Sequence, residues 1–404
     1  MATIILTTLL ISSTATSVSS TQEQLWITDS AGPLTYIYDV PTWELIDSIS
    51  IGDHVRGICA TADGATVFLS LERSNEVIRV DAATHKVTGR VGVGRKPHEI
   101  ECTPDGHFVY VPCANKHWWI INGQTMEVIE QLPTEGRPHN TLITPDHQWM
   151  ILAPQAPASA LTIVDLSDHS PIDKIEFSGA TRPGDISADG KRVFHNVDGL
   201  IGFEVASLES RELTDRVEHQ IADDKREIKS RCHGLAIRPD QKEVWSANVI
   251  HQSIHIHELE SGEFREIAAL PCPGWPYWIT FSQDGRFAFV SVKPDGSIIS
   301  KMKIAAVALS AMGFASLLTL PFWLRARKQG LAAKSGKRAR RLLICGSLCL
   351  LAVFGLFVGS KSMKGRILVF DSNSKSVVAE LEVGHRPLHT QTILASQSSQ
   401  ESSD

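Results

Sequence analysis

A turn signal that follows an apolar run recurs six times, about every 42 residues, and it constrains this chain more than any other feature. The copies are Thr61-Ala-Asp-Gly64, Thr103-Pro-Asp-Gly106, Thr144-Pro-Asp-His147, Ser187-Ala-Asp-Gly190, Arg238-Pro-Asp-Gln241 and Ser282-Gln-Asp-Gly285. Their aspartates are 42, 41, 43, 51 and 44 residues apart. A period in this range marks a solenoid, a propeller or an array.

Each repeat reads as four strands. In the second, Ile100 to Thr103 precedes the turn and Phe108 to Pro112 follows it. Trp118 to Asn122 and Met126 to Leu132 come next. These runs are short, β-branched or aromatic, and bounded by Gly, Pro, Asn and Asp, which is how strands read. Four antiparallel strands per repeat make the blade of a β-propeller, which closes radially and protects its strand edges. Complete repeats open near residues 54, 96, 137, 182, 231 and 275. The chain begins with three strands that lack a first one: Leu25 to Thr28, Thr35 to Tyr38 and Leu45 to Ile49. Near its end comes one inner-strand candidate, Thr390 to Leu394. The two ends complement each other, so the expectation is an all-β ring of seven blades, the last built from both termini.

Val93-Gly-Arg-Lys-Pro-His98, with Thr103 to Gly106 and Val109 to Pro112, resembles the YVTN-type propeller repeat. Cys232 to Asp240 with Glu243 to Asn248 is similar to it too. The likeness covers roughly residues 24–300 and 364–395 and is greatest to the YncE-like periplasmic propellers. Pro112 and Cys113 depart from that family's usual Thr-Asn. The resemblance implies a seven-bladed fold outside the cytoplasm. It implies no single chemistry, because propellers host lactonases, electron-transfer subunits and binding modules.

An insertion interrupts the sixth repeat. Residues 304–324 and 342–359 carry no charge, and residues 325–341 between them hold eight basic residues and no acidic one. Runs of this length and charge pattern predict a transmembrane α-hairpin over 301–363 with its basic loop inside the cell. The propeller, at 24–300 and 364–395, would then lie on the periplasmic or extracellular side. Residues 1–20 resemble a signal peptide, although no Lys or Arg precedes the apolar Ile4 to Ile11. Residues 396–404 read as a polar, disordered tail. Outside 301–363, which holds 11 basic residues, the chain has 28 Lys+Arg against 45 Asp+Glu. So acidic a propeller is a poor nucleic-acid binder, because phosphate contacts need Lys and Arg.

Against that background the repeats share a basic position. Aligned before their proline slot, they carry His54, Lys96, Arg137, Arg182, Arg231, Trp275 and Arg386. Two residues on stand Arg56, His98, His139, Gly184, His233, Tyr277 and Leu388. These positions open the innermost strands, so radial repetition would gather them at the mouth of the central channel. Like charges converging there are costly unless solvated or offset by an anion. The candidate ligand-binding residues are therefore Arg56, Lys96, His98, Arg137, His139, Arg182, Arg231, His233, Tyr277 and Arg386. The bland alternative is that they point outward, bond loop carbonyls, or recur merely because the repeat does.

Other motifs fall short. His98-Glu99 begins like a zinc protease motif, but Cys102 replaces the second histidine and the segment reads as strand. Gly92-Val-Gly94 begins like a dinucleotide loop, but Pro97 stands in place of its third glycine. His255 and His257 share one strand face and read as solvated rather than metal-binding. Cys232 and Cys272 lie in loops before adjacent inner strands and could pair in an oxidising compartment. No catalytic residue, metal set or cofactor is identified. The expectation is a membrane-tethered propeller that binds a protein partner or a small anionic ligand at its basic mouth. The alternatives are a lactonase-type hydrolase and a periplasmic redox or haem-handling protein.

Overall fold

The computed structural model describes residues 21–221, 232–295 and 364–396, and scattered positions between 301 and 353. Its strands form seven four-stranded antiparallel sheets. The first blade, β4 to β7, holds Val55–Ala60, Thr66–Leu71, Glu76–Asp81 and Lys86–Gly92. The second holds β8 (Glu101–Cys102), β9 (Phe108–Cys113), β10 (His117–Asn122) and β11 (Glu127–Pro133). The third, β12 to β15, opens with Arg137–Ile143, and the fourth, β16 to β19, with Thr181–Ile186. The fifth, β20 to β23, opens with Cys232–Ile237. The sixth, β24 to β27, opens with Trp275–Phe281.

The seventh blade closes the ring. Its innermost strand is β28 (Pro387–Ser396), which pairs with β1 (Thr21–Asp29), followed by β2 (Leu34–Asp39) and β3 (Leu45–Ser50). The packing confirms closure. Seven apolar clusters fill seven blade-to-blade gaps. One of them joins Leu25, Ile27 and Tyr38 of the closing blade to Phe289, Ile367 and Val369 of the sixth. Strands next to the axis are buried on both faces, so β20 and β21 are buried along their whole length. Outer strands face water and read as polar, as β3 and β7 do.

The recurring turn has one geometry. In the second blade Thr103 Oγ1 donates to Asp105 Oδ1 at 2.6 Å, and Asp105 Oδ1 accepts the His107 N–H at 2.9 Å. The Phe108 N–H returns to Thr103 Oγ1 at 3.0 Å. The residue after the aspartate is left-handed, which suits Gly106. Where the repeat departs from glycine, His147 and Gln241 take the same conformation, at φ of 56° and 61°. Asp105→Ala should cost about 1 kcal/mol, the usual worth of such bonds. A shift in the urea midpoint measures it, and no shift would mean the backbone holds the turn alone.

The structure corrects one element. No helix among the described residues is long and apolar enough to cross a membrane, so the transmembrane α-hairpin does not stand. The positions described there, such as 307–310, are helical, and most of 296–363 lies outside the described residues. An uncharged run says how much apolar surface a helix would carry. It does not say that the chain keeps one helix for the ~20 residues a span requires. Structural support for a membrane partner goes with it. The leader at 1–20 and residues 397–404 also lie outside the described residues, while Ser396 ends β28.

Candidate functional site

The site is built by one irregularity repeated around the ring. Where an inner strand meets its neighbour, the register slips: between Val55 and Ile58, Pro138 and Asn140, Thr181 and Gly184, Cys232 and Leu235, and Pro276 and Trp278. A bulge of this kind re-aims a side chain. Here it frees Arg56, His139, Arg182, His233 and Tyr277. In the second blade His98 lies between the Pro97–Cys113 bridge and β8. In the closing blade the slip lies between Ile27 and Asp29.

Buried hydroxyls pin these bulges. Ser70 Oγ accepts the Gly57 N–H at 2.8 Å and donates to the His98 carbonyl of the next blade at 2.6 Å. Ser291 does the same between the Trp278 N–H and the Leu388 carbonyl, at 2.9 and 3.0 Å. The inner strands come so close that a Cβ on Gly57 would lie 2.3 Å from the His98 carbonyl oxygen.

The freed side chains meet in order around the axis. Arg56 Nη2 donates to His98 Nε2 at 2.5 Å. The His98 and His139 rings are 4.5 Å apart, and those of His139 and His233 are 5.9 Å apart. His233 stacks on Tyr277 at 3.6 Å, and Lys293 Nζ sits 2.9 Å from the Tyr277 ring centre. Gly184 breaks the sequence of ring side chains for a steric reason: a Cβ there would lie 2.4 Å from His195 Nδ1. His195, from the second strand of the fourth blade, takes that space and donates its Nδ1–H to the Arg182 carbonyl at 2.7 Å.

Electrostatics divide the site into a mouth and a floor. Arg56, Arg137, Arg182 and Lys293 lie at the mouth, and all four act on Glu99 below it. Burial and the charges of Arg56 and Arg182 lower the Arg137 pKa. Burial and the charges of Arg56 and Arg386 pull Lys293 well below its usual value. Carboxylates answer only part of this charge. Arg182 pairs with Asp198 through two bonds of 2.7 and 2.9 Å, and Arg56 Nε lies 3.7 Å from Glu72. Among the described residues neither Arg137 nor Lys293 has a carboxylate within ion-pair distance.

Below the mouth the side chains are dry. His98, His139 and His233 are buried, and burial together with nearby cations or imidazoles holds all three well below the usual histidine pKa. Glu99 is buried among them, and desolvation pushes its carboxyl up to about 8 against the pull of Arg56 and Lys293. Sequence reasoning missed Glu99 because it was weighed only as part of a failed helix motif. It also missed Lys293 and His195, which come from second strands rather than inner ones. The glycine at 184 was the one available signal for His195.

Other expectations part company here. Lys96 is exposed, at φ of 50°, and lines a cleft of about 420 Å³ with His54, Glu72, Arg73 and Arg95. Arg386 is exposed at the rim, where its N–H donates to Asp29. Arg231 lies outside the described residues. His255 and His257 are not a solvated face, since both are buried. His219 stacks on His255 at 4.1 Å, and Glu266 accepts from His255 Nδ1 at 3.0 Å. The outer strand of the neighbouring blade covers that face, which one strand's pattern cannot reveal. Cys232 and Cys272 are buried and no disulfide joins them; Cys232 Sγ lies 3.9 Å from His219 Nδ1 instead.

No protein-family model and no curated protein matches this chain. Solved structures do. A chain of Kuenenia stuttgartiensis hydrazine synthase superposes with a TM-score of 0.58 at 18% identity, covering 66% of this chain and 88% of that one. A dihydro-heme d1 dehydrogenase, NirN, superposes with a TM-score of 0.55 at 13% identity, covering 91% and 74%. At such identities the likeness is one of fold, and with seven sheets closed in a ring it establishes a seven-bladed β-propeller.

Proposed function

We propose that the channel mouth binds a small anion, a carboxylate or phosphate group, through Arg56, Arg137, Arg182 and Lys293. One observation carries this reading: Arg137 and Lys293 share the mouth with two further cations and, among the described residues, have no carboxylate of their own. Convergent like charges raise the energy of the empty site, and a bound anion relieves it. A small ligand fits better than a flat protein face, because Arg56 and Arg182 are recessed, at 20% and 12% exposed.

Calorimetric titration with inorganic phosphate and with malonate at low ionic strength tests the proposal. Charge-assisted hydrogen bonds contribute about 1.5–3 kcal/mol each. Arg137→Glu with Lys293→Glu should therefore weaken binding by about 100-fold or more. Equal affinity in the double variant, with the fold intact, would overturn the assignment.

A haem-handling role is a second reading, supported by the NirN likeness and by the channel imidazoles. Their burial argues against it: His98, His139 and His233 are 5%, 3% and 1% exposed, so they offer a macrocycle little access. Mixing with haem should leave its Soret band as in buffer, and a shifted band at one equivalent would favour this second reading.

A further inference from the structure

We infer that the floor of the channel is a binding site for one divalent transition-metal ion, held by His98 Nδ1, the Glu99 carboxylate and His139 Nδ1. Four polar atoms converge there: the two Nδ1 atoms and both Glu99 oxygens. All four are buried and, among the described residues, none has a hydrogen-bond partner. Leaving such a group unsatisfied is costly, and a cluster of them in a packed interior calls for a shared partner.

The spacing identifies that partner. His98 Nδ1 is 3.6 Å from Glu99 Oε1, and His139 Nδ1 is 3.6 Å from Glu99 Oε2. Both separations are too long for hydrogen bonds. Two donors each about 2.1 Å from a common ion, at the tetrahedral angle, lie roughly 3.4 Å apart, close to these separations. One ligand atom from each residue falls within 4.8 Å of the others. Two imidazoles and a carboxylate suit zinc, cobalt or a similar ion, whereas calcium and magnesium favour oxygen.

The surroundings are consistent with this. In the metal-free geometry Arg56 donates to His98 Nε2. With Nδ1 on an ion, Nε2 carries the ring proton and can no longer accept from Arg56. Glu72, 3.7 Å from the Arg56 Nε, is then its nearest carboxylate partner. The site uses different atoms from the anion site, so either assignment can fail without the other.

The test uses the full chain, stripped with a chelator and titrated with Co²⁺ in a buffer free of phosphate and carboxylate. One equivalent should bind, with the visible absorption of a low-coordinate nitrogen–oxygen site, and Zn²⁺ should displace it. Glu99→Gln and His139→Asn should each weaken binding at least 10-fold, with the fold checked by thermal melting. His257→Gln and Cys102→Ser, which alter the His219–His255–His257 group and the Cys59–Glu101–Cys102 cluster, should leave binding unchanged. If the floor variants do not fold, proton NMR of the cobalt form of the unaltered chain still decides. It should show two strongly shifted, exchangeable imidazole N–H signals and no thiolate charge-transfer band. Failure to bind an equivalent, loss of binding in His257→Gln or Cys102→Ser, retention in Glu99→Gln, or a different count of imidazole signals would overturn the inference.

Discussion

Removal of residues 387–404 should abolish the folded monomer rather than trim it. That deletion takes away β28, whose pairing with β1 runs from Thr21↔Ser396 to Asp29↔Pro387. It also takes Ile393 and Ala395 out of the cluster that packs Trp26 and Ile37 against the first blade. Trp26 and Ile27 are fully buried in the intact ring and would face water. Each lost buried hydrogen bond costs about 1 kcal/mol, and each large side chain exposed costs about 2 kcal/mol. The total is on the order of 10 kcal/mol, comparable to the whole stability of a domain. Circular dichroism and thermal melting of the truncated chain measure this. A cooperative melt within a few degrees of the full chain would show that the ring closes without β28. Restoration by a synthetic 387–404 peptide would tie the loss to this strand.

Stability should peak near pH 6 and fall on both sides, and buried ionisable groups of opposite kinds set the two limbs. On the acid side, burial holds His195 at about 4 and His389 at about 3. His98, His139, His219 and His233 are shifted in the same direction. Below pH 6.5 the unfolded chain takes up protons that these folded imidazoles refuse, so stability is lost as pH falls. Each such group contributes about 1.4 kcal/mol per pH unit. On the alkaline side, desolvation raises Glu99, Glu101 and Asp185 to about 8, 7 and 6. These carboxyls favour the folded state at low pH, and their contribution is lost as pH rises from the unfolded value through the folded one, opposed in part by Lys293, whose lowered value works the other way. Between pH 6 and 4.5 they oppose the imidazoles but are fewer, so the net loss is roughly a few kcal/mol per pH unit. Urea denaturation from pH 8.5 to 4.5, with a chelator present, measures the profile, and His389→Gln should flatten its acid limb. A steady rise in stability from pH 8 to 4.5 would mean that the channel imidazoles are hydrated and charged in the folded protein.

Much of the architecture was legible in the residues because a propeller repeats its local chemistry. The Thr103-to-Gly106 turn closes on its own side chains, so it reads the same wherever it stands. Polar outer strands such as β7 and buried inner ones such as β21 follow from water on one side and packing on both. The unmatched strands at Leu25 to Ile49 and Thr390 to Leu394 foretold a shared blade, since an unpaired apolar strand is costly. Apolar runs misled at 304–359, because hydropathy measures a segment's surface and not the structure it keeps.

The basic positions at Arg137 and Arg182 were visible as a column in the aligned repeats, and Arg56 in the column two residues on. That column could not say which of its members reach the axis. Lys96 sits at the same repeat position as Arg137 and Arg182, yet it lines a cleft with His54 and Arg95 instead. Nor could it place Glu99 between two imidazoles, or bring Lys293 and His195 in from second strands. His219 meeting His255 and His257 across a blade boundary was equally hidden. The repeating chain by itself determined the blade, the number of blades and the sign of charge at the mouth, because those depend on contacts within one repeat and on its copy number. Only the closed ring decided the floor of the channel. That floor is made of atoms from different blades, and their separation depends on the bulges and on how closely the inner strands approach one another.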